Sequence, residues 1–65
     1  MKWSELEALA ERGGARLRMS HFPRSTYHYA ELRLSGGAML DAEARTVGAA
    51  KRALCAAVEK IRKAR

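Results

Sequence analysis

The chain is 65 residues long and carries a formal net charge of +6 at neutral pH. That length suits one small domain, spanning residues 1–65, whose hydrophobic core is marginal unless a second copy or a bound partner adds burial. Many of the apolar residues are alanines, so few large side chains are available to fill the core. A homodimer is therefore one expectation.

The single cysteine, Cys55, excludes an internal disulfide and any zinc site built from several cysteines. Two histidines without clustered carboxylates or thiols make a poor metal site, so we expect no metal and no cofactor. No apolar run reaches the roughly 18 residues of a membrane span, and the N-terminus is charged and amphipathic. These features predict a cytoplasmic protein without membrane contact.

The first predicted element is a short helix in the stretch WSELEALAERGG. Ser4 and Glu7 have the spacing of a capping box, and Gly13 or Gly14 supplies the left-handed residue that ends a helix. The apolar stripe of this helix consists of Leu6, Leu9 and Ala10.

Two strands follow, because side-chain character alternates with a period of two in both RLRMSHF and YHYAELRLS. The break FPRST separates them, and Gly36 and Gly37 turn the chain after the second strand. Alternation places His21 and His28 on the same face as the apolar residues. The apolar residues of that face, counted together with those of the stretch that follows, are Leu17, Met19, Ala30, Leu32, Leu34, Leu40 and Ala42.

The stretch AMLDAEART fits either a strand or the start of the last helix. As helix, it would place the Glu43 carboxylate inside the apolar stripe, at a cost of several kcal/mol. As strand, it points Glu43 to solvent beside Arg33 or Arg18. We therefore predict a third strand over about 38–45 and a helix capped by Thr46. The stripe of that helix consists of Val47, Ala50, Leu54, Val58 and Ile61, with Cys55 on its flank.

The predicted order is an α+β fold, αβββα, with a three-stranded antiparallel sheet and both helices packed on one face. This order, with YHYAELRLSGGAMLDAEART leading into an alanine-rich helix, resembles the double-stranded RNA-binding domain. That family grips duplex RNA through the first helix, the loop between strands one and two, and lysines that open the last helix. Ala50 and Lys51 match the last motif, whereas Val47 and Gly48 replace its lysine pair.

The opening MKWSELEALAERGGARLR resembles the start of HicA-type toxins, which are small ribonucleases on the same fold. Those toxins use a histidine that follows glycine and serine on the second strand. Ser20 and His21 offer this pair, with Met19 in place of the glycine, and His28 is a second candidate. The competing interpretation is two partly buried histidines at a sheet edge.

The excess positive charge lies in the last third of the chain, since residues 1–43 carry as many acidic as basic side chains. Clustered cations indicate an anionic partner, nucleic acid first, although solubility and the helix dipole explain them equally well. The predicted phosphate contacts are Arg24, Arg45, Lys51, Arg52, Lys60, Arg62 and Lys63.

The sheet face away from the helices carries aromatic and arginine side chains, which suit base stacking or a protein interface. Its acidic residues favour protein over nucleic acid, and plain cross-strand pairing is the alternative. The predicted protein-interface residues are Phe22, Tyr27, Tyr29 and Arg33.

Three functions follow from these patterns. The first is a non-catalytic module that contacts RNA or DNA phosphates through the basic last helix. The second is a phage or mobile-element effector that, like anti-CRISPR proteins of this size, binds and blocks a host protein complex that handles nucleic acid. The third is a HicA-like ribonuclease that uses His21 or His28.

Overall fold

The computed structural model of the protein describes residues 1–64. The elements in chain order are α1 (Trp3–Gly13), β1 (Arg16–His21), β2 (His28–Arg33), β3 (Met39–Ala44) and α2 (Val47–Lys63). The predicted αβββα order is confirmed, as is the assignment of the ambiguous stretch to a third strand. Each strand is slightly shorter than its alternating sequence pattern.

The three strands form one antiparallel sheet in the order β1-β2-β3. Ala30 in the middle strand pairs with Met19 on one side and Ala42 on the other, so the predicted apolar face is continuous across the sheet. Both helices cover this face, which confirms the α+β architecture. Ala30 is fully buried at its centre.

The core is small and is built largely from small side chains. Leu6 of α1 and Leu54 of α2 are the largest fully buried side chains. Alanines fill positions where the helices approach the sheet closely, so each contributes little apolar area. The buried set is Leu6, Ala10, Ala30, Leu32, Ala50, Leu54, Cys55 and Val58.

Three predicted core residues are exposed instead. Leu34, Val47 and Ile61 retain 40%, 41% and 43% of their accessible surface. The reason is length, because a 17-residue helix spans roughly 25 Å, whereas a six-residue strand spans roughly 20 Å. The sheet is therefore too short to cover the whole of α2, and Val47 and Ile61 lie in the first and last turns of that helix, while Leu34 lies beyond the last residue of β2.

Cys55 is buried in the core rather than lying on the flank of α2. It belongs to the side of α2 that packs toward α1, which the apolar stripe of a single helix does not reveal. Burial raises the pKa of the Cys55 thiol above its ordinary value. A buried neutral thiol is a packing group, so the structure gives Cys55 no nucleophilic role.

The start of α1 differs from the prediction, since the helix begins at Trp3 and not after Ser4. The backbone amide of Lys2 donates to Glu5 Oε1 at 3.2 Å, so Glu5 takes the capping role that the sequence assigned to Glu7. At the other end Gly14 adopts φ 70°, the left-handed conformation predicted for the stop.

Contacts with α2 explain the earlier start of α1. The Met1 ammonium group donates to Glu59 Oε2 at 3.0 Å, and Lys51 Nζ lies 5.1 Å from the centre of the Trp3 ring. These two contacts hold the first residues of the chain against α2. The hydrogen bond and charge of the Met1 ammonium lower the pKa of Glu59 below its ordinary value.

Among the described residues 1–64, neither helix has the length and apolar content that crossing a bilayer requires. The same part of the chain contains no cluster of three or more metal-ligating side chains.

Candidate nucleic-acid interface

Several predicted site residues meet at one end of the sheet, where β1 stops, β2 starts and β3 passes into α2. The antiparallel register places His28 between His21 on one side and Ala44 on the other. The loop of residues 22–27 closes this end, and the first turn of α2 borders it. We call this region, residues 21–28 together with 45–52, the loop end.

The loop at this end has a defined turn. Pro23 has the fixed φ that suits the second position of a β-turn. The amide of Ser25 closes the turn by donating to the carbonyl oxygen of Phe22 at 2.9 Å. Arg24 occupies the third position of the turn, where its side chain is exposed to solvent. The turn therefore presents Arg24 at the tip of the loop.

Ser25 ties the turn to the last residue of β1 and to the residue before β2. Its side-chain oxygen accepts from the Tyr27 amide at 3.0 Å, and its carbonyl oxygen accepts from His21 Nε2 at 3.0 Å. These hydrogen bonds join residues close in sequence and hold the loop in place of apolar packing, which a loop of this length lacks. The position of Arg24 is held by the residues immediately around it.

His21 and His28 form a stacked pair across β1 and β2. Their ring centres are 4.3 Å apart and their planes differ by 17°. His28 is half-buried, whereas His21 is exposed, so the interpretation of two partly buried histidines is wrong for His21. The reason is that α2 packs mainly over β3 and β2 and leaves the end of the edge strand open.

The start of α2 has the cap that the sequence predicted. Thr46 Oγ1 accepts from the Ala49 amide at 3.1 Å. The amides of Val47 and Gly48 have no hydrogen-bond partner within residues 1–64, and the first turn contains no acidic residue. Unpaired amides at a helix start carry partial positive charge and favour an anion.

Two further arginines lie at the loop end. A Cβ atom placed on Gly48 would lie 3.3 Å from Arg52 Nη1, so the Arg52 guanidinium lies along the first turn of α2. The guanidinium carbon of Arg45 lies 6.0 Å from the centre of the Tyr27 ring. Arg24, Arg45 and Arg52 therefore belong to one end of the molecule.

The other predicted phosphate contacts do not join these three arginines. Lys51 is directed toward Trp3 on α1. The cations of the last turn of α2 are separated from its first turn by roughly 20 Å along the helix axis. The predicted basic surface is therefore two groups, with the far one consisting of Lys60, Arg62 and Lys63.

The predicted protein interface also divides. Phe22, which is 62% exposed, contacts Tyr29 edge to face with ring centres 5.6 Å apart. Tyr27 precedes β2 and lies with Arg45 at the loop end. The tyrosines therefore make different contacts, and the pair of Phe22 and Tyr29 fits the alternative of packing that stabilises the sheet.

Glu31 organises the charges of the open sheet face. It lies 3.2 Å from Arg18 Nε and 4.0 Å from Arg33 Nη2. Glu43 lies opposite Tyr29, not beside Arg33 or Arg18 as the sequence suggested. Two arginines of this face, Arg18 and Arg33, are thus already paired with Glu31, and the remaining carboxylates of the face disfavour phosphate.

Two residues of the loop end were not identified from the sequence. Ser25 fixes the turn, and its signal is a serine two positions after the turn proline, within a break between strands. Gly48 leaves room for the Arg52 side chain, and its signal is a glycine four residues before an arginine on a helix, where the two lie on one side.

Comparison with protein-family models, with curated proteins and with solved structures finds no match to the chain.

Proposed function

We propose that the protein is a non-catalytic module that binds nucleic acid by contacting phosphates at the loop end. The observation that supports this proposal is that three arginines lie at the loop end, with Arg24 in the exposed turn, Arg45 against Tyr27 and Arg52 along the unpaired first turn of α2. Guanidinium groups and helix-start amides are the donors that phosphate oxygens prefer.

The distribution of charge over α1 and α2 supports the loop end as the contact surface. In α1 the exposed carboxylates of Glu7 and Glu11 have no ion pair within residues 1–64 and would repel a phosphate backbone. A double-stranded RNA-binding domain also uses its first helix, so the family's extended grip on duplex RNA is not part of the proposal. The contact proposed here is limited to the loop end.

The test measures fluorescence anisotropy of labelled duplex RNA, duplex DNA and single-stranded RNA at about 50 and about 200 mM salt. The wild type should bind with a steep salt dependence. The double variant Arg24→Ser, Arg45→Ser should bind more weakly on every sequence. Its slope of log affinity against log salt should fall by roughly 0.9 for each lost duplex DNA contact.

The matched control is Lys60→Ser, Lys63→Ser, which removes the same charge from the far end of α2. It should leave affinity and salt slope close to those of the wild type. Equal weakening by both double variants would mean diffuse attraction to a basic protein. No binding by the wild type at the lower salt would reject the proposal.

A ribonuclease is the second candidate, because His21 is exposed and stacked on His28 at the same end of the sheet. Accessible imidazoles near phosphate-binding groups can move protons during strand cleavage. The test incubates labelled RNA with the wild type and with His21→Ala, His28→Ala. Cleavage that the double variant abolishes supports an enzyme, whereas intact RNA with the wild type excludes it.

A further inference from the structure

The loop end carries exposed aromatic rings as well as arginines. Phe22 is 62% exposed, the largest fraction among the large apolar side chains of residues 1–64, and Tyr27 is 37% exposed. These two residues flank the turn that presents Arg24. No acidic residue occurs in residues 21–28 or 45–52. Aromatic surface and positive charge therefore occur together at the loop end, which itself holds no carboxylate.

The register of the sheet places these rings in one row. Continued by one position beyond the last pair of β1 and β2, it sets Phe22 opposite Tyr27. Continued in the same way between β2 and β3, it sets Tyr27 opposite Arg45. The distance of 6.0 Å from the Arg45 guanidinium carbon to the centre of the Tyr27 ring agrees with this position. We call Phe22, Tyr27 and Arg45 the aromatic row.

Phe22 has a ring face that the protein does not use. Its contact with Tyr29 joins ring centres 5.6 Å apart at an interplanar angle of 68°. An edge-to-face contact covers at most one face of the Phe22 ring, and most of the side chain remains exposed. The contact holds the ring in place and leaves flat aromatic surface open. Such a surface suits stacking by a nucleobase.

Stacking on a side chain requires a base whose face is uncovered. In a duplex, each base is stacked between its neighbours and offers only its edge to a protein. Unpaired bases can turn outward and lie against an aromatic ring or a guanidinium plane. The aromatic row therefore fits an unpaired strand, whose phosphates the neighbouring arginines would contact.

The carboxylates of the open sheet face limit this site to the loop end. Glu43 lies opposite Tyr29, two residues further along β2 than Tyr27. Glu31 lies two residues beyond Tyr29 and is paired with Arg18. A strand that continued along this face would meet negative charge. The row itself crosses three neighbouring strand positions, roughly 10 Å, and its two rings take only one or two bases.

From these features we propose that the nucleic acid bound at the loop end is single-stranded, with an unpaired base stacked on Phe22 and phosphates on the arginines. This inference rests on the proposed function, because the phosphate contacts are the same. It adds a preference that charge alone does not produce. Attraction to phosphates favours a duplex, which has the higher charge density and the steeper salt slope.

The test measures fluorescence anisotropy of the wild type with labelled ligands at about 100 mM salt. The ligands are an unstructured single strand as RNA and as DNA, the corresponding duplexes, and a DNA strand of the same length whose nucleotides lack bases. The wild type should bind the intact single strands at least about fivefold more tightly than the duplexes and the strand without bases.

A variant of the ring itself sharpens the test. Phe22→Ser should weaken binding of the single strands at least about fivefold and leave duplex affinity and the salt slope unchanged. Phe22→Tyr keeps an aromatic ring and should retain the affinity. Met39→Ser is the matched control, because Met39 is 49% exposed on the same sheet face at its other end. It should bind every ligand as the wild type does.

Circular dichroism establishes that each variant is folded. If Phe22→Ser is unfolded, Phe22→Leu replaces it, since leucine keeps an apolar side chain without a ring. Equal affinity of the wild type for intact strand, duplex and strand without bases overturns this inference and leaves the proposed phosphate contacts standing. A folded Phe22 variant that keeps wild-type affinity, or that loses duplex affinity equally, also overturns it. A wild type that binds none of the ligands rejects the proposed function as well.

Discussion

The two ends of the sheet are built in different ways. At the loop end, hydrogen bonds between residues a few positions apart hold the turn, the Thr46 cap and the exposed Arg24 in place. At the opposite end, the C-terminal parts of α1 and α2 and the turn that joins β2 to β3 enclose an open apolar cleft, whose lining includes small residues such as Gly13, Ala15 and Gly36. The first end is stabilised locally and displays charge, whereas the second depends on the core and leaves apolar surface uncovered.

The largest expected effect comes from enlarging the cleft. Leu6→Ala removes a fully buried side chain from the cleft wall, and such truncations cost about 2–5 kcal/mol. A small domain has little stability beyond that, so the variant should be largely unfolded at 37 °C. Urea unfolding followed by circular dichroism checks this. Leu34→Ala is the control, and because Leu34 is already 40% exposed its cost should be below about 1 kcal/mol.

Equal losses of stability for Leu6→Ala and Leu34→Ala would contradict the contrast between the buried Leu6 and the exposed Leu34. In that case Leu34 would be as well buried in solution as Leu6.

The loop end should respond to a smaller, local change. Thr46→Ala removes the oxygen that accepts from the Ala49 amide, and loss of such a cap costs about 1 kcal/mol. Thr46→Ser keeps the oxygen and should retain most of the stability. The same urea titration measures both variants. A cost for Thr46→Ala as large as that of Leu6→Ala would show that the start of α2 depends on more than its cap.

Much of the sheet could be predicted from alternation of side chains. The cost of burying the Glu43 carboxylate decided between helix and strand, and Glu43 does lie on the solvent side of β3. The same period placed Ala30 and Leu32 on the buried face. These inferences succeed because a strand fixes the direction of each side chain relative to its neighbours.

What alternation could not predict is how far each covering element reaches. His21 lies on the helix side of the sheet, yet it is exposed because no helix extends over that end of β1. Ile61 continues the apolar stripe of α2, yet it is exposed because α2 is longer than the sheet. Cys55 is buried by a second helix. These outcomes depend on the relative lengths and positions of elements, which a local pattern does not contain.

The smallest expected effect concerns the contact that joins the chain start to α2. The Met1 ammonium lowers the pKa of Glu59 below the ordinary value of 4.5, so the contact stabilises the fold above that pH. The stabilisation is lost as the pH falls through the lowered folded-state pKa.

With the Met1 amine unmodified, Glu59→Gln should therefore melt slightly below the wild type at pH 6, and at the same temperature at pH 2. Glu7→Gln, which removes an exposed carboxylate with no ion pair within residues 1–64, should match the wild type at both. If the melting temperature of Glu59→Gln stays below that of the wild type at pH 2, packing and not charge holds the start of α1 against α2. Both ends of α1 would then be held by packing, as the end at the cleft is.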